Sequence, residues 1–130
     1  MEFNLADLFE NTVDHFGDSD YLQVDGRSCS YAELEKRANR LAHFLIEQGV
    51  KPGDHVGIYS YNSLEWVETL WAAFKVRAVW ININYRYLDD ELLYLLENSD
   101  AEALVFHSSL GDRVARIMER ATKVRLWIEV

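Results

Sequence analysis

From Val56 onward, short apolar runs alternate with stretches of helical period, and this alternation narrows the possible folds more than any other feature. The apolar runs are Val56 to Tyr59, "AVWINI" from Ala78, "EALVF" from Glu102 and "VRLWIEV" from Val124. Between them Leu64, Val67, Leu70, Trp71 and Phe74 recur at helical spacing. So do Leu92, Leu93, Leu95 and Leu96, and then Leu110, Val114, Ile117, Met118 and Ala121. Parallel strands buried on both faces read as near-continuous apolar runs, and each needs a crossover, usually a helix, to bring the chain back to the same end of the sheet. The expected fold is α/β, a largely parallel sheet with helices on both faces.

The first third of the chain has a different pattern. Asn4 with Asp7 forms a capping-box pair at the start of a helix. Leu5, Leu8, Phe9, Val13 and Phe16 make its apolar stripe, while Glu2, Asp7, Glu10 and Asp14 lie mostly elsewhere. Tyr21 to Val24, an Asp25-Gly26 turn and a return strand to Ser30 predict a β-hairpin. Ser30 with Glu33 is a second capping box, opening a helix whose buried face is Leu34, Ala38, Leu41, Ala42 and Leu45. Gly49 should end that helix and Pro52-Gly53 turn the chain away. Asn62 with Glu65 is expected to cap the next helix, and Asp89 or Asp90 to begin the one after. The sheet is thus preceded by an N-terminal helix and a hairpin.

Charge and cysteine content exclude several function classes. Against 22 acidic side chains stand 13 Lys and Arg, a formal charge of −9. Such a chain lacks the basic face that a nucleic-acid partner wants, and does not dock on anionic lipid by overall charge. Cys29 is the single cysteine; with no internal disulfide possible, a reducing compartment is the simplest setting, and a cytoplasmic protein is expected. No apolar run approaches a membrane span, and "MEFNLADLFENTVDHF" has neither the basic start nor the apolar core of a secretory signal.

The stretch "GDHVGIYSYNS", Gly53 to Ser63, is a strand running into a helix cap, the junction where open α/β sheets commonly hold phosphate. A phosphate cradle needs glycines for close backbone approach, and often a lysine. Between Ile58 and Trp66 there is neither glycine nor cation. The expected reading is a structural corner. His15, His43, His55 and His107 are scattered without zinc-like spacing, Cys29 has no base near it in sequence, and no nucleophile elbow surrounds Ser108 and Ser109. No catalytic residue and no metal ligand is assigned. Two basic features remain: Arg86 inside "NYRY", read as a loop brace stacked on tyrosine, and Arg113 with Arg116, spaced i, i+3 on the last helix after "LVF", which could grip a phosphate as a pair.

Read together, "SYAEL" with "ANRLA", "GVKPGDHVGIY", the "NS.E" cap and "NINYRY..DELLYLL" resemble the opening of the adenylate-forming (AMP-binding) enzymes. More narrowly they are similar to the acyl-CoA synthetases (fatty-acid–CoA ligases). "KVRAV" departs from the commoner "KAGAV", with Arg77 where glycine is usual, and with "NYRY" it looks more like the branch acting on long, branched or steroid-derived acids. The resemblance covers nearly the whole chain.

That resemblance implies residues 1–130 as the N-terminal portion of an AMP-binding domain, a flavodoxin-like subdomain that looks truncated. The reaction it implies is a two-step ligation. A carboxylate attacks ATP to form an acyl-adenylate and pyrophosphate, with magnesium balancing charge, and the CoA thiol then displaces AMP. The family's phosphate loop, adenine-binding segments and catalytic lysine are absent from this stretch. The segment alone is therefore expected to be inactive and to bind none of ATP, Mg or CoA tightly. In some acyl-CoA synthetases, arginines after the strand corresponding to "ALVF" contact the 3′-phosphate region of CoA; Arg113 and Arg116 match that location. An alternative is a stand-alone flavodoxin-like binding module without catalysis. A fragment should leave open a sheet edge and apolar residues around Trp66, Trp71 and Trp80, so self-association or pairing with the rest of the enzyme is expected.

Overall fold

The structure, a computed structural model, describes residues 3–130; Glu2 of the first polar face lies outside them. Helix α1 (Leu5–Phe16) leads into a hairpin of β1 (Asp20–Val24) and β2 (Arg27–Ser30), followed by α2 (Tyr31–Glu47). Then come β3 (His55–Tyr59), α3 (Leu64–Lys75), β4 (Val79–Ile83), α4 (Asp89–Asn98), β5 (Ala101–Phe106), a single 3₁₀ turn at Ser108–Leu110, α5 (Gly111–Ile117) and β6 (Leu126–Glu129). The last four strands form one sheet in the order β4-β3-β5-β6, parallel at each pairing. The expected α/β architecture, with an N-terminal helix and a two-stranded hairpin before the sheet, is present.

Alternation along the strands gives the two faces. On one side Tyr59, Ile83, Leu104 and Phe106 meet Leu92 and Leu96 of α4 and Val114 and Ile117 of α5. On the other, Val56 and Ala103 meet Ala42 and Leu45 of α2 and Ala72 and Ala73 of α3. Gly57 points to the first face, where an added Cβ would lie 3.0 Å from Ile83 and 3.2 Å from Leu104. The hairpin turn has Asp25 at φ 50° and Gly26 at φ 76°, the two positive values a type I′ turn requires. Helices α2 and α3 end alike: after α2, Gly49 and Val50 donate to the carbonyls of Ile46 and Leu45, and after α3, Arg77 and Ala78 donate to Phe74 and Ala73. Both are Schellman closures, which need a left-handed residue; Gly49 sits at φ 89° and Arg77 at φ 62°.

Several local expectations change. Ser63, not Asn62, caps α3, its hydroxyl accepting from the Trp66 N–H at 3.1 Å. Helix α4 begins at Asp89, as expected, and the N–H of Leu88 before it donates to Glu91. The last helix stops at Ile117, with Met118 already in the following turn. On α1, only Phe9 and Val13 of the apolar stripe pack inward, beside Ala6. Leu5, Leu8 and Phe16 are exposed, while Phe9 and Val13 pack against Leu34, Tyr21, Tyr31 and Trp71. The three tryptophans are not an exposed face. Trp71 stacks on Phe9 at 4.5 Å and donates to the Tyr21 hydroxyl, while Trp66 and Trp80 pack edge to face. No helix among the described residues is long and apolar enough to cross a membrane.

Candidate functional site

The strand order places a topological switch between β3 and β5. The chain leaves β3 toward β4 on one side, then returns across it to β5 on the other. The crevice outside the carboxyl ends of those two strands is where open α/β sheets bind ligands. Here Tyr59 ends β3, His107 follows β5, and the loop after β4 brings Tyr85, Arg86 and Tyr87 over them.

Tyr59 is the hub. Its ring is fully buried, its hydroxyl donates to the Tyr87 carbonyl, and it accepts from Arg113 Nη1 at 3.2 Å. The same Nη1 donates to the Tyr85 carbonyl at 2.7 Å. Arg113 thereby ties α5 to the end of β3 and to the loop after β4, and its hydrogen bond to Tyr59 shifts its pKa further upward. Tyr61 packs on Tyr85 with ring centres 4.6 Å apart and meets the edge of His107 at 6.0 Å. The Nδ1 of His107 accepts from the Ser109 N–H at 3.1 Å, which leaves the neutral ring's proton on Nε2.

Arg116 lies one turn further along α5, half-exposed, and grips Asp89 of α4 with two nitrogens at 2.9 to 3.1 Å. That contact holds the Asp89 carboxyl below its ordinary pKa and shifts Arg116 upward. The structure thus brings Arg113 and Arg116 to one rim but gives each an internal partner. Arg113 retains its Nε and Nη2, and Arg116 its Nη1, without a hydrogen-bond partner among the described residues. Arg86, read from sequence as a brace, does stack on Tyr85 at 5.6 Å, while its guanidinium has no carboxylate partner among the described residues.

Beside this rim, toward β4, a cavity of about 370 Å³ is lined by Ser60, Asn62, Asn82, Asn84, Trp66 and Tyr85, among others. Its walls are amides, hydroxyls and aromatic rings, with no cation. Such a surface positions a neutral polar or apolar group and does not neutralise a phosphate. Neither Asn82 nor Tyr59 was singled out from sequence. Period-2 alternation makes Tyr59 one more core residue, and only the fold shows that its hydroxyl has two partners. At the β3–α3 corner, Ser63 already satisfies a first-turn N–H, in keeping with a structural junction. Cys29 is buried, and burial, then Glu33, push its thiol pKa up, the opposite of what a nucleophile needs.

A family model described as AMP-binding enzyme matches residues 9–129. The chain belongs to the AMP-binding enzyme family. The chain is 48% identical over all 130 of the given residues to the 3-oxocholest-4-en-26-oate–CoA ligase of Rhodococcus rhodochrous, and covers 23% of that protein. It is 42% identical over 125 residues to a medium/long-chain-fatty-acid–CoA/3-oxocholest-4-en-26-oate–CoA ligase of Mycolicibacterium smegmatis, covering 96% of this chain and 23% of the relative. In fold it follows the anthranilate CoA ligase AuaEII with a TM-score of 0.94, at 22% identity, covering 98% of this chain and 25% of that one. The chain therefore spans about a quarter of the length of the relatives it matches.

Proposed function

We propose that residues 1–130 supply the N-terminal subdomain of an ATP-dependent acid–thiol ligase acting on a long-chain, branched or steroid-derived carboxylic acid. The observation that carries this reading is the 48% identity, without truncation of the match, to a ligase named for a steroid-derived acid. In the proposed reaction the carboxylate takes the adenylyl group of ATP with release of pyrophosphate, and the CoA thiol then displaces AMP. Catalysis of this kind rests on positioning and charge stabilisation more than on a side-chain nucleophile.

What this chain contributes, in this reading, is a rigid wall and a cationic rim. The Tyr59–Arg113–Tyr85 brace fixes the loop after β4. Arg113 and Arg116 are the proposed contacts to the CoA phosphate region, through the donors they keep free, with Arg86 beside them. Among the described residues no three His, Cys, Asp or Glu side chains converge as a metal cage, so in this reading the magnesium ligands belong to other parts of the enzyme. The capped β3–α3 corner likewise offers ATP no cradle. The segment by itself is proposed to be inactive and to pair with the remainder of the enzyme across the open edge of β6 and the exposed stripe of α1.

The test is a chimera in which residues 1–130 replace the matching segment of the Rhodococcus rhodochrous ligase. Acid-dependent pyrophosphate release with ATP, magnesium and CoA should survive in the chimera and be absent from the isolated chain. A folded chimera without turnover on either 3-oxocholest-4-en-26-oate or a long-chain fatty acid overturns the reading. Arg86→Ala and Arg116→Ala in an active chimera should raise the KM for CoA with less effect on that for the acid.

A further inference from the structure

Acids outnumber cations in this chain, 22 to 13, and six of the thirteen, Arg37, Lys75, Arg77, Arg116, Lys123 and Arg125, are paired with carboxylates among the described residues. Three of those without a carboxylate partner among the described residues, Arg27, Lys36 and Arg40, line one groove between β2 and α2. Lys36 and Arg40 are four residues apart on α2, a spacing at which like charges face each other unfavourably. Arg27 approaches from β2. Arg37, also on the wall, is held in place by Glu68 at 2.7 and 3.0 Å. One acid, Glu33, stands on the wall; its Oε2 accepts from the Ser30 N–H at 2.8 Å, which turns that oxygen to the α2 cap while the carboxylate keeps its charge. The floor is uncharged, made by Ser28, Leu64 and the buried thiol of Cys29, and the hollow measures about 360 Å³.

Three cations from two elements, none with a carboxylate partner among the described residues, border one groove in an otherwise acidic molecule, and an anion seated there would offset their mutual repulsion. Two of the three are arginines, whose planar forks match the oxygens of a phosphate. We propose that the groove bordered by Arg27, Lys36 and Arg40 binds a phosphate-bearing ligand, through a terminal phosphate group that spans β2 and α2. None of its lining residues belongs to the carboxyl-end crevice, and the inference does not depend on the ligase reading. The phosphate can be that of a small soluble ester or of a lipid headgroup.

The experiment is an amide-resolved NMR titration of the 130-residue chain with sodium phosphate, against sodium chloride at matched ionic strength. Saturable shifts are expected at Arg27, Ser28, Lys36 and Arg40 with phosphate only, weakening as added salt shortens the screening length. The Arg27→Gln/Lys36→Gln/Arg40→Gln variant should lose roughly tenfold or more in affinity. Should that variant not fold, Arg27→Gln and Lys36→Gln singly should each weaken binding. Co-sedimentation with phosphatidylcholine vesicles, with and without phosphatidic acid, separates the sources: retention that needs phosphatidic acid and the three cations assigns a lipid headgroup, and phosphate binding without retention assigns a soluble ester. Shifts no larger than those with chloride, shifts centred on Arg86 and Arg113, or an affinity unchanged in the folded variants overturn the proposal.

Discussion

At Arg77 the backbone asks for one residue and the sequence supplies another. The Schellman closure of α3 needs a left-handed residue, and Arg77 adopts φ 62°, a region that costs a residue with a Cβ about 1–2 kcal/mol. The family resemblance marks this same place, since Arg77 stands where glycine is usual. The sequence showed the departure but not its reason, because a φ angle is invisible until the helix end is located. Arg77 recovers part of the cost through an exposed contact with Asp7 at 3.5 Å and a hydrogen bond to the Phe74 carbonyl, and such surface pairs contribute about 0–1 kcal/mol. Arg77→Gly should therefore stabilise the chain by about 0.5–1 kcal/mol, visible as a rise of roughly 2–4 °C in Tm. A fall in Tm would show that the Asp7 contact outweighs the strain. Tyr59 is the opposite case, a buried side chain whose hydroxyl has both an acceptor and a donor. Tyr59→Phe leaves the part-buried Tyr87 carbonyl and Arg113 Nη1 without that hydroxyl, at a cost of about 0.5–1.5 kcal/mol, measurable as a lower urea midpoint.

Elements were legible wherever a period or a cap stood alone in the sequence, and blurred wherever a partner decided. The capping boxes at Asn4 and Ser30, the Asp25-Gly26 turn and the four parallel strands all rest on local signals, and all are present. The stripe of α1 holds five apolar residues and local sequence does not choose among them; contact with Leu34, Tyr21, Tyr31 and Trp71 selects Phe9 and Val13. Equally hidden was the joint among the first three helices. Lys75 at the end of α3 is buried, with its ammonium 2.7 Å from Glu10 of α1 and 2.8 Å from Glu35 of α2, while the second oxygen of Glu35 is buried without a partner. Removing the lysine alone leaves the Glu35 carboxylate without its cation and with only the Asn39 amide, which donates to its Oε1 at 3.3 Å. Lys75→Met should cost about 2–3 kcal/mol, below the full value for a deeply buried pair because Glu10 is half-exposed and can turn to water. Lys75→Met/Glu35→Leu should recover most of that loss, giving a coupling of at least about 1 kcal/mol in a double-mutant cycle. A Lys75→Met variant within about 0.5 kcal/mol of the parent, the usual range of surface substitutions, would show that the three helices are joined by apolar contact alone.

For the molecule as a whole, acid acts in two opposing ways. At a formal charge of −9, protonating surface carboxylates relieves self-repulsion, so mild acid should favour the compact state. Two carboxylates work against that trend. Asp89 is held below its ordinary pKa first by its hydrogen bond to Arg116, and Asp100 first by its hydrogen bond to Lys123 at 2.7 Å. The first contact joins α4 to α5, and the second joins the end of α4 to the loop before β6, so both close the same face of the sheet. A carboxylate whose pKa is lower folded than unfolded contributes stability in full above its unfolded value, near 3.9, and loses it as pH falls through the folded value. The parent should therefore exceed Asp89→Asn/Asp100→Asn in stability at pH 7 by an amount that holds steady down to about pH 5 and closes below about pH 4. Comparing the two proteins at each pH cancels most of the general charge relief, which both share, and leaves the contribution of the two ion pairs. Urea unfolding across that range reads the difference directly. A gap that stays constant to the lowest pH would mean that the asparagine variants lose a helix-start or loop contact rather than a titrating pair, and that the α4–α5 face is held by its apolar core.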